Sequence, residues 1–348
     1  MRLTSRQLNR TLLARQHLLG RTDLAPSAMV GQLVGLQAQE NLPPYLSLAA
    51  RLESFDPHDV TRALAEKTLV RLLTMRGTIH LLTREDALTL RTWTQPCQDK
   101  ERRASQNTKP ALHLDTDEAN AAVRTALARG PLPVKALGEE LTRTFPGVPP
   151  NALAHLARVN QPLAQLPPRG GWKQSGGVVY QYVDRWLDAP LVTPDPATIV
   201  RRYLRAFGPA SAADVTTWSG LTGMPKLLTS MADLVRHEDP VGKVLVDVPE
   251  GLIADPEEPA PVRLLGTYDN VWLSHAGRDR VTHPAKRKRW MGVNGGQAST
   301  IFVDGMLEGL WRVRDGQVEV VEMFRRLTRV ERADLDGEID RVETLLQR

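Results

Sequence analysis

One order of elements recurs along this chain, each copy punctuated by proline and glycine. Residues 4 to 20 carry Leu8, Leu12, Leu13 and Leu19 at helical spacing. Thr4 or Ser5 suits the start of that helix and Gly20 its end. A second helix is expected over 25 to 39, with Pro26 in its first turn, and a third over 56 to 66. The stretch "LVRLLTMRGTIHLLT", Leu69 to Thr83, reads as a hairpin folded about Met75-Arg76-Gly77. Helix, helix, helix, hairpin is the order of a winged helix. A further helix over 84 to 95 completes this part.

A polar and basic stretch over 98 to 115 reads as a linker, and the order then repeats. "DEANAAVRTALARG", "PVKALGEEL" and "NALAHLARVNQ" are three helices, and "LAQLPPRGGWKQSGGVVYQYV" is a wing with a glycine-rich tip carrying Arg169 and Lys173. It repeats again as "DPATIVRRYLRAF", "SAADVTTWSG" and "MPKLLTSMADLV", followed by a hairpin in "VRHEDPVGKVLVDV". Copies at a spacing of roughly 80 to 100 residues make an internal structural repeat. From Pro261 the pattern changes. Asp304-Gly305 and Asp315-Gly316 are type I′ turn signals between β runs, and a last helix is expected over 331 to 347. The expected fold is α+β, mainly α: three tandem winged helices over 1–110, 111–190 and 191–260, and a β-rich part over 261–348.

Composition narrows the class. In 348 residues, 41% are hydrophobic and 24% charged, which suits a folded protein and excludes a largely disordered one. No apolar run approaches the roughly 18 to 20 residues of a membrane span. Arg2, Arg6 and Arg10 break up any signal-peptide core, and the lone Cys97 allows no internal disulfide. A cytoplasmic protein, away from membranes, is expected.

The net charge is +5 and the sequence pI about 9.5, which makes a phosphate-rich partner plausible if the cations cluster. The densest cluster is "GRDRVTHPAKRKRW", with Arg278, Arg280, His283, Lys286, Arg287, Lys288 and Arg289. Read as a loop between two β segments, it would neutralise several phosphates; the bland alternative is a solvated charge run. Trp290 at its end suits the core, whereas Trp172 in the wing tip suits a DNA groove or a neighbouring domain. The histidines lack metal-ligand spacing, so neither a metal nor a cofactor is expected. "GVNGGQAS", 292 to 299, lacks the lysine of a phosphate-binding loop and reads as a β-turn region.

The oddest stretch is "VGLQAQE", Val34 to Glu40, read as the end of the second helix. Gln37 and Gln39 stand two apart, a spacing that splays side chains on a helix. The amides share a target only where the helix ends, and Pro43-Pro44 follow closely. In so apolar a setting two amides need partners, or else they orient something.

Gln37-Ala38-Gln39 after "LVGL", with "MRGTIHLL" (Met75 to Leu82) and "LLGTYDNVWLSHAGR" (Leu264 to Arg278), resembles the AlkZ-like winged-helix DNA glycosylases. The likeness runs over essentially the whole chain. These enzymes remove bulky N7-alkylated purines and unhook interstrand crosslinks of the azinomycin type. A related branch has Gln-apolar-Asp, so the second glutamine points to the AlkZ-like branch. The resemblance implies a C-shaped fold with a basic channel for double-stranded DNA carrying such lesions. It implies catalysis by Gln37 and Gln39 without cofactor or Schiff-base lysine. Arg169, Lys173, Arg278, Arg280, Lys286, Arg287, Lys288 and Arg289 would grip phosphates, and a hairpin leading to His275 would probe a groove. A monomer in the cytoplasm, associated with the nucleoid, is expected. The competing readings are a non-enzymatic winged-helix DNA-binding regulator and a protein-interaction scaffold.

Overall fold

The computed structural model describes residues 1–290 and 298–348. It is 46% helical and 17% strand, so the α+β, mainly α class holds. The chain divides into two compact units. One comprises 1–57, 197–218 and 223–348; the other comprises 58–196 and 219–222.

In the first unit, helix Ser5–Arg15 starts with a capping box between Thr4 and Gln7. Helix Pro26–Gln32 has proline in its first turn, as expected, but stops seven residues short of Gln39. A Schellman closure ends it: Gly35 N–H donates to the Val30 carbonyl (2.9 Å) and Val34 N–H to that of Gly31 (3.2 Å). Both Val34 (φ 53°) and Gly35 (φ 96°) are left-handed, which no helix continues through. Leu36–Gln37 is then extended. Helix Leu42–Ala49 follows, with Pro43 and Pro44 in its first turn. The double proline thus starts a helix, because first-turn N–H groups have no intrahelical partner to lose.

The same unit holds helices Pro196–Phe207, Ala212–Ser219 and Met224–Ser230 and the hairpin of Val235–Glu238 with Val244–Asp247, in the expected order. Its main sheet is antiparallel. Arg263–Leu265 pairs with Ser299–Val303, then come Met306–Arg314 and Gln317–Met323 at the far edge. Asp304-Gly305 (φ 48°, 74°) and Asp315-Gly316 (φ 51°, 78°) have the paired positive angles of type I′ turns. Helix Arg329–Gln347 closes the chain.

In the second unit, Leu69–Leu73 and Ile79–Thr83 form the expected hairpin, in register Leu69 opposite Thr83 to Leu73 opposite Ile79. Leu163–Gln165 extends that sheet from Leu69–Leu73, followed by Val179–Tyr182 and Leu132–Pro133. Helices Thr116–Ala126, Val134–Thr142 and Pro150–Asn160 precede the wing as expected. The stretch 98 to 115 is no linker. Helix Gln95–Ala104 runs into it, and Gln98, fully buried, donates from Nε2 to the Thr74 carbonyl (2.5 Å). No helix among the described residues is long and apolar enough to cross a membrane.

Candidate active site

Gln37 and Gln39 lie on an extended segment and the bend after it, beyond the end of a helix. Helical spacing therefore does not apply to them, and the strand itself ends at Gln37, before the bend that carries Gln39. Gln37 is buried, Ala38 fully so, and Gln39 is exposed. Both glutamines have polar partners.

The segment is held from beneath. Asn270 Nδ2 donates to the carbonyls of Gly35 (3.0 Å) and Leu33 (3.4 Å). Asn270 opens a short helix, Asn270–Leu273, capped by Asp269, which accepts from Val271 N–H at 3.0 Å. Asp269 itself is clamped by Arg51 through two bonds of 2.8 Å, and by Ser47 Oγ at 2.8 Å. Neither charged side chain of the pair is exposed at all (0% each). Burial alone would raise the Asp269 carboxyl. The Arg51 charge and the hydrogen bonds outweigh it and hold the group below the usual carboxylate range. Arg51 also donates to Gln16 Oε1 (3.0 Å), tying the pair to the first helix. Gly266 runs so close to Leu46 that an added Cβ would sit 3.1 Å from it. The sequence marks the loop and "LLGTYDN" separately; the fold packs one beneath the other.

The His275 expectation is overturned. Its ring is buried, with Nδ1 3.0 Å from Ser274 Oγ, so it probes no groove from this position. Burial, with Arg280 nearby, pushes its pKa down to about 3, so it is neutral. It sits beside Asp214, which accepts from Ser211 N (2.8 Å), Ser211 Oγ (2.7 Å) and Ala276 N (2.9 Å). Burial pushes the Asp214 carboxyl up, but the hydrogen bonds from Ser211 and the Arg280 charge bring it below its ordinary value.

The basic stretch also differs from the loop expected. Pro284–Trp290 is helical. Arg278 is turned inward onto the His275 and Ala276 carbonyls, and Arg280 donates to the Pro209 carbonyl at 2.7 Å. Lys286 Nζ lies 2.6 Å from both Glu308 carboxylate oxygens. Arg289 pairs with Glu322 and lies 4.4 Å over the Phe324 ring. Arg287 and Lys288 make no ion pair among the described residues, and Lys288 is exposed. Trp290 is core, stacked on Trp272 with ring centres 4.1 Å apart. Residues 292–297 of "GVNGGQAS" lie outside the described residues.

In the second unit the wing tip exposes Lys173 and half-buries Arg169. Trp172 faces inward at 5% exposure, its backbone N–H donating to Thr61 Oγ1 (2.8 Å), so it enters no DNA groove. In the hairpin, His80 is buried with Nδ1 3.0 Å from the Thr78 carbonyl and Nε2 3.1 Å from Arg76 Nη2. Burial, aided by Arg76, takes its pKa to about 3. Nδ1 therefore carries the proton, and Nε2 accepts from the Arg76 guanidinium. Among the described residues no group of His, Cys, Asp and Glu could hold a metal ion.

Comparison with known proteins places the chain in the class of DNA-repair enzymes. The family model described as DNA glycosylase AlkZ-like matches residues 30–345, and the chain belongs to that family. It is a DNA glycosylase, a hydrolase of N-glycosyl bonds whose substrate is DNA. The interstrand DNA cross-link repair glycosylase of Streptomyces sahachiroi is 29% identical over 92% of this chain and 91% of its own length. The solved structure of Streptomyces sahachiroi DNA glycosylase AlkZ shares the fold. Its TM-score is 0.84 at 22% identity, over 100% of this chain and 98% of that one.

Proposed function

We propose that this glycosylase is monofunctional and releases N7-alkylated purines from double-stranded DNA, including those tethered in azinomycin-type interstrand crosslinks, with Gln37 and Gln39 as its catalytic residues. The observation that carries the reading is the extended, anchored backbone beneath two neutral amides. An N7-alkylated purine is cationic before its bond breaks. The C1′–N9 electron pair leaves with the base and cancels that charge, so departure is easy and the sugar becomes oxocarbenium-like. What remains is to hold a water on C1′ and stabilise the sugar cation. An amide oxygen accepts a hydrogen bond from that water and turns a dipole toward the cation without being a base. The water oxygen bonds to C1′, its proton passes to solvent, and an abasic sugar remains. Gln39, the exposed amide, is assigned to the water and Gln37 to its orientation.

Helices followed by a hairpin in each of 1–110, 111–190 and 191–260, four before the hairpin in the first and three in the others, support the reading of three winged helices with a β-rich part over 261–348. The exposed Lys173 and Lys288, with Arg169 and Arg287, are assigned to phosphate contacts; Lys286, Arg289, Arg278 and Arg280 are not. A monomer acting at the nucleoid fits a chain built of unlike repeats.

The test is single-turnover release of an N7-alkylguanine from duplex DNA by Gln37→Ala and Gln39→Ala. Each is expected to lose roughly 10²- to 10³-fold, as for removal of a preorganised dipole. Glu40, the neighbouring exposed carboxylate, has no part in the proposed step, so Glu40→Gln should keep most of the rate. Wild-type rates in both glutamine variants would reject the catalytic assignment.

A further inference from the structure

The cations that the sequence crowds into 278–289 are largely consumed inside the first unit, and the same pairings leave a different set free beside them. Glu308 takes Lys286 (2.6 Å) and lies 3.7 Å from Arg325. Glu322 takes Arg289, and Glu319 takes Arg312 at 2.8 Å. Glu331 takes Arg325 at 2.6 Å, and that bond with the Thr328 cap holds its carboxyl down at about 2. Each glutamate from strand Met306–Arg314 to the first turn of helix Arg329–Gln347 therefore already has a cation.

Three arginines of the same stretch have none. Arg326, Arg329 and Arg332 are exposed and make no ion pair among the described residues. Arg329 and Arg332 stand three apart on the last helix, which places them on one face. Asp334 and Asp336, further along that helix, hold none of the three in an ion pair. The patch adjoins helix Pro284–Trp290. Phe324, two residues before Arg326, lies under the Arg289 guanidinium, and Glu308 lies between Lys286 and Arg325. Arg287 and Lys288 on that helix likewise make no ion pair among the described residues.

We infer that Arg326, Arg329 and Arg332 form a second phosphate-gripping surface, continuous with Arg287 and Lys288, that holds the backbone of duplex DNA. Long unpaired arginines fit phosphate oxygens through two parallel N–H donors, and a duplex offers those oxygens at regular spacing. The surface reads no sequence and serves lesion-bearing and undamaged DNA alike. This inference rests on the duplex-DNA reading above and adds residues to it.

The test is anisotropy of the full-length protein on an undamaged duplex between about 50 and 200 mM salt, where each phosphate contact contributes about 0.9 to the log–log slope. The variant carrying Arg326→Gln, Arg329→Gln and Arg332→Gln should have a slope shallower by about 2.7. Across that range the wild type then loses about fortyfold more affinity than the variant. Arg→Lys at the same positions should keep the wild-type slope, since it keeps the charge. If the triple variant melts early, the single variants decide, each expected to lose about 0.9. A wild-type slope in the glutamine variants overturns the surface and leaves the DNA reading standing. A wild-type protein whose duplex binding ignores salt overturns both.

Discussion

Asn270→Ala is the sharpest test of how the glutamine loop is held. The substitution removes the donor that bridges the Gly35 and Leu33 carbonyls, at 3.0 and 3.4 Å, and leaves both acceptors in a buried place. Stranding buried acceptors costs about 1 to 3 kcal/mol. Each kcal/mol is worth roughly 2 to 4 °C in a domain of this size, so a loss near 2 kcal/mol predicts a melt about 4 to 8 °C lower. The protein stays folded at assay temperature, so the rate can be read separately. Gly35 is two residues from Gln37, and a displacement of about 1 Å in a positioning group costs on the order of 10²-fold. The assay is single-turnover base release at saturating enzyme on an N7-methylguanine duplex, with duplex affinity measured alongside. Rate should fall 10- to 100-fold, on that order of displacement, with affinity nearly unchanged. Asn9→Ala is the control. Asn9 also bridges two carbonyls, of Arg280 (2.7 Å) and Gly305 (2.8 Å), but away from the loop. It should destabilise comparably and keep its rate. A wild-type rate in Asn270→Ala, or equal rate losses in both variants, would refute the anchoring argument.

Other expectations follow from the same packing. Asp269→Asn leaves the Arg51 charge buried without its partner, a loss of about 3 to 5 kcal/mol visible in urea unfolding; replacing both by apolar residues should recover much of it. His80 and His275 ionise near 3 in the fold against 6.5 in the open chain, so between those values the unfolded state binds more protons. Stability therefore falls as pH drops below about 6.5, and His80→Gln should flatten that fall in melts from pH 7 to 5; a melt insensitive to pH there would contradict the neutral assignments. Reversing charge at Arg287 and Lys288 should flatten the salt slope of duplex binding more than the same change at Lys286 and Arg289, which Glu308 and Glu322 already occupy. Equal effects at the two pairs would show that these ion pairs open on binding.

Local signals carried most of the fold. Caps, helical spacing and the two Asp-Gly turns act within a few residues, and those elements stand close to where the sequence puts them, although the first helix ends at Arg15 and not at Gly20. The failures share one cause, which is context from distant residues. Pro43-Pro44 signals a boundary, but the sequence does not say on which side the helix lies; here it is helix Leu42–Ala49. The stretch from 98 onward is polar enough for a linker, yet Gln98 is buried against Thr74, a partner 24 residues away. Trp172 sits in a glycine-rich tip but folds inward, fixed at its backbone by Thr61. Charge is hidden from the sequence for the same reason. Counting cations finds 278–289, whereas only the fold shows that Glu308 and Glu322 neutralise part of it while Arg326, Arg329 and Arg332 make no ion pair among the described residues. A run "RRLTRVER" with one obvious i, i+6 acid was the available signal.

The paired amides and the buried ion pair beneath them make sense together. A carboxylate stabilises a sugar cation by charge, which acts over several ångströms and tolerates some misplacement. An amide acts through a dipole and a directional hydrogen bond, and both fade quickly with angle and distance. An enzyme that relies on glutamine therefore gains only from a stiff backbone. On the proposed assignment this has a counterpart in the chain, which places Val34 and Gly35 in left-handed conformations, fixes Gly35 by Asn270, and fixes the Asn270 helix by Asp269, Arg51 and Ser47. A buried charge pair adds little net stability to a protein. Beneath a loop that needs fixed geometry, its directional bonds have a use that stability alone does not explain. It follows that Gln39→Ala, at the exposed amide, should lose rate with the melt intact, whereas Arg51, Asp269 and Asn270 variants should lose both.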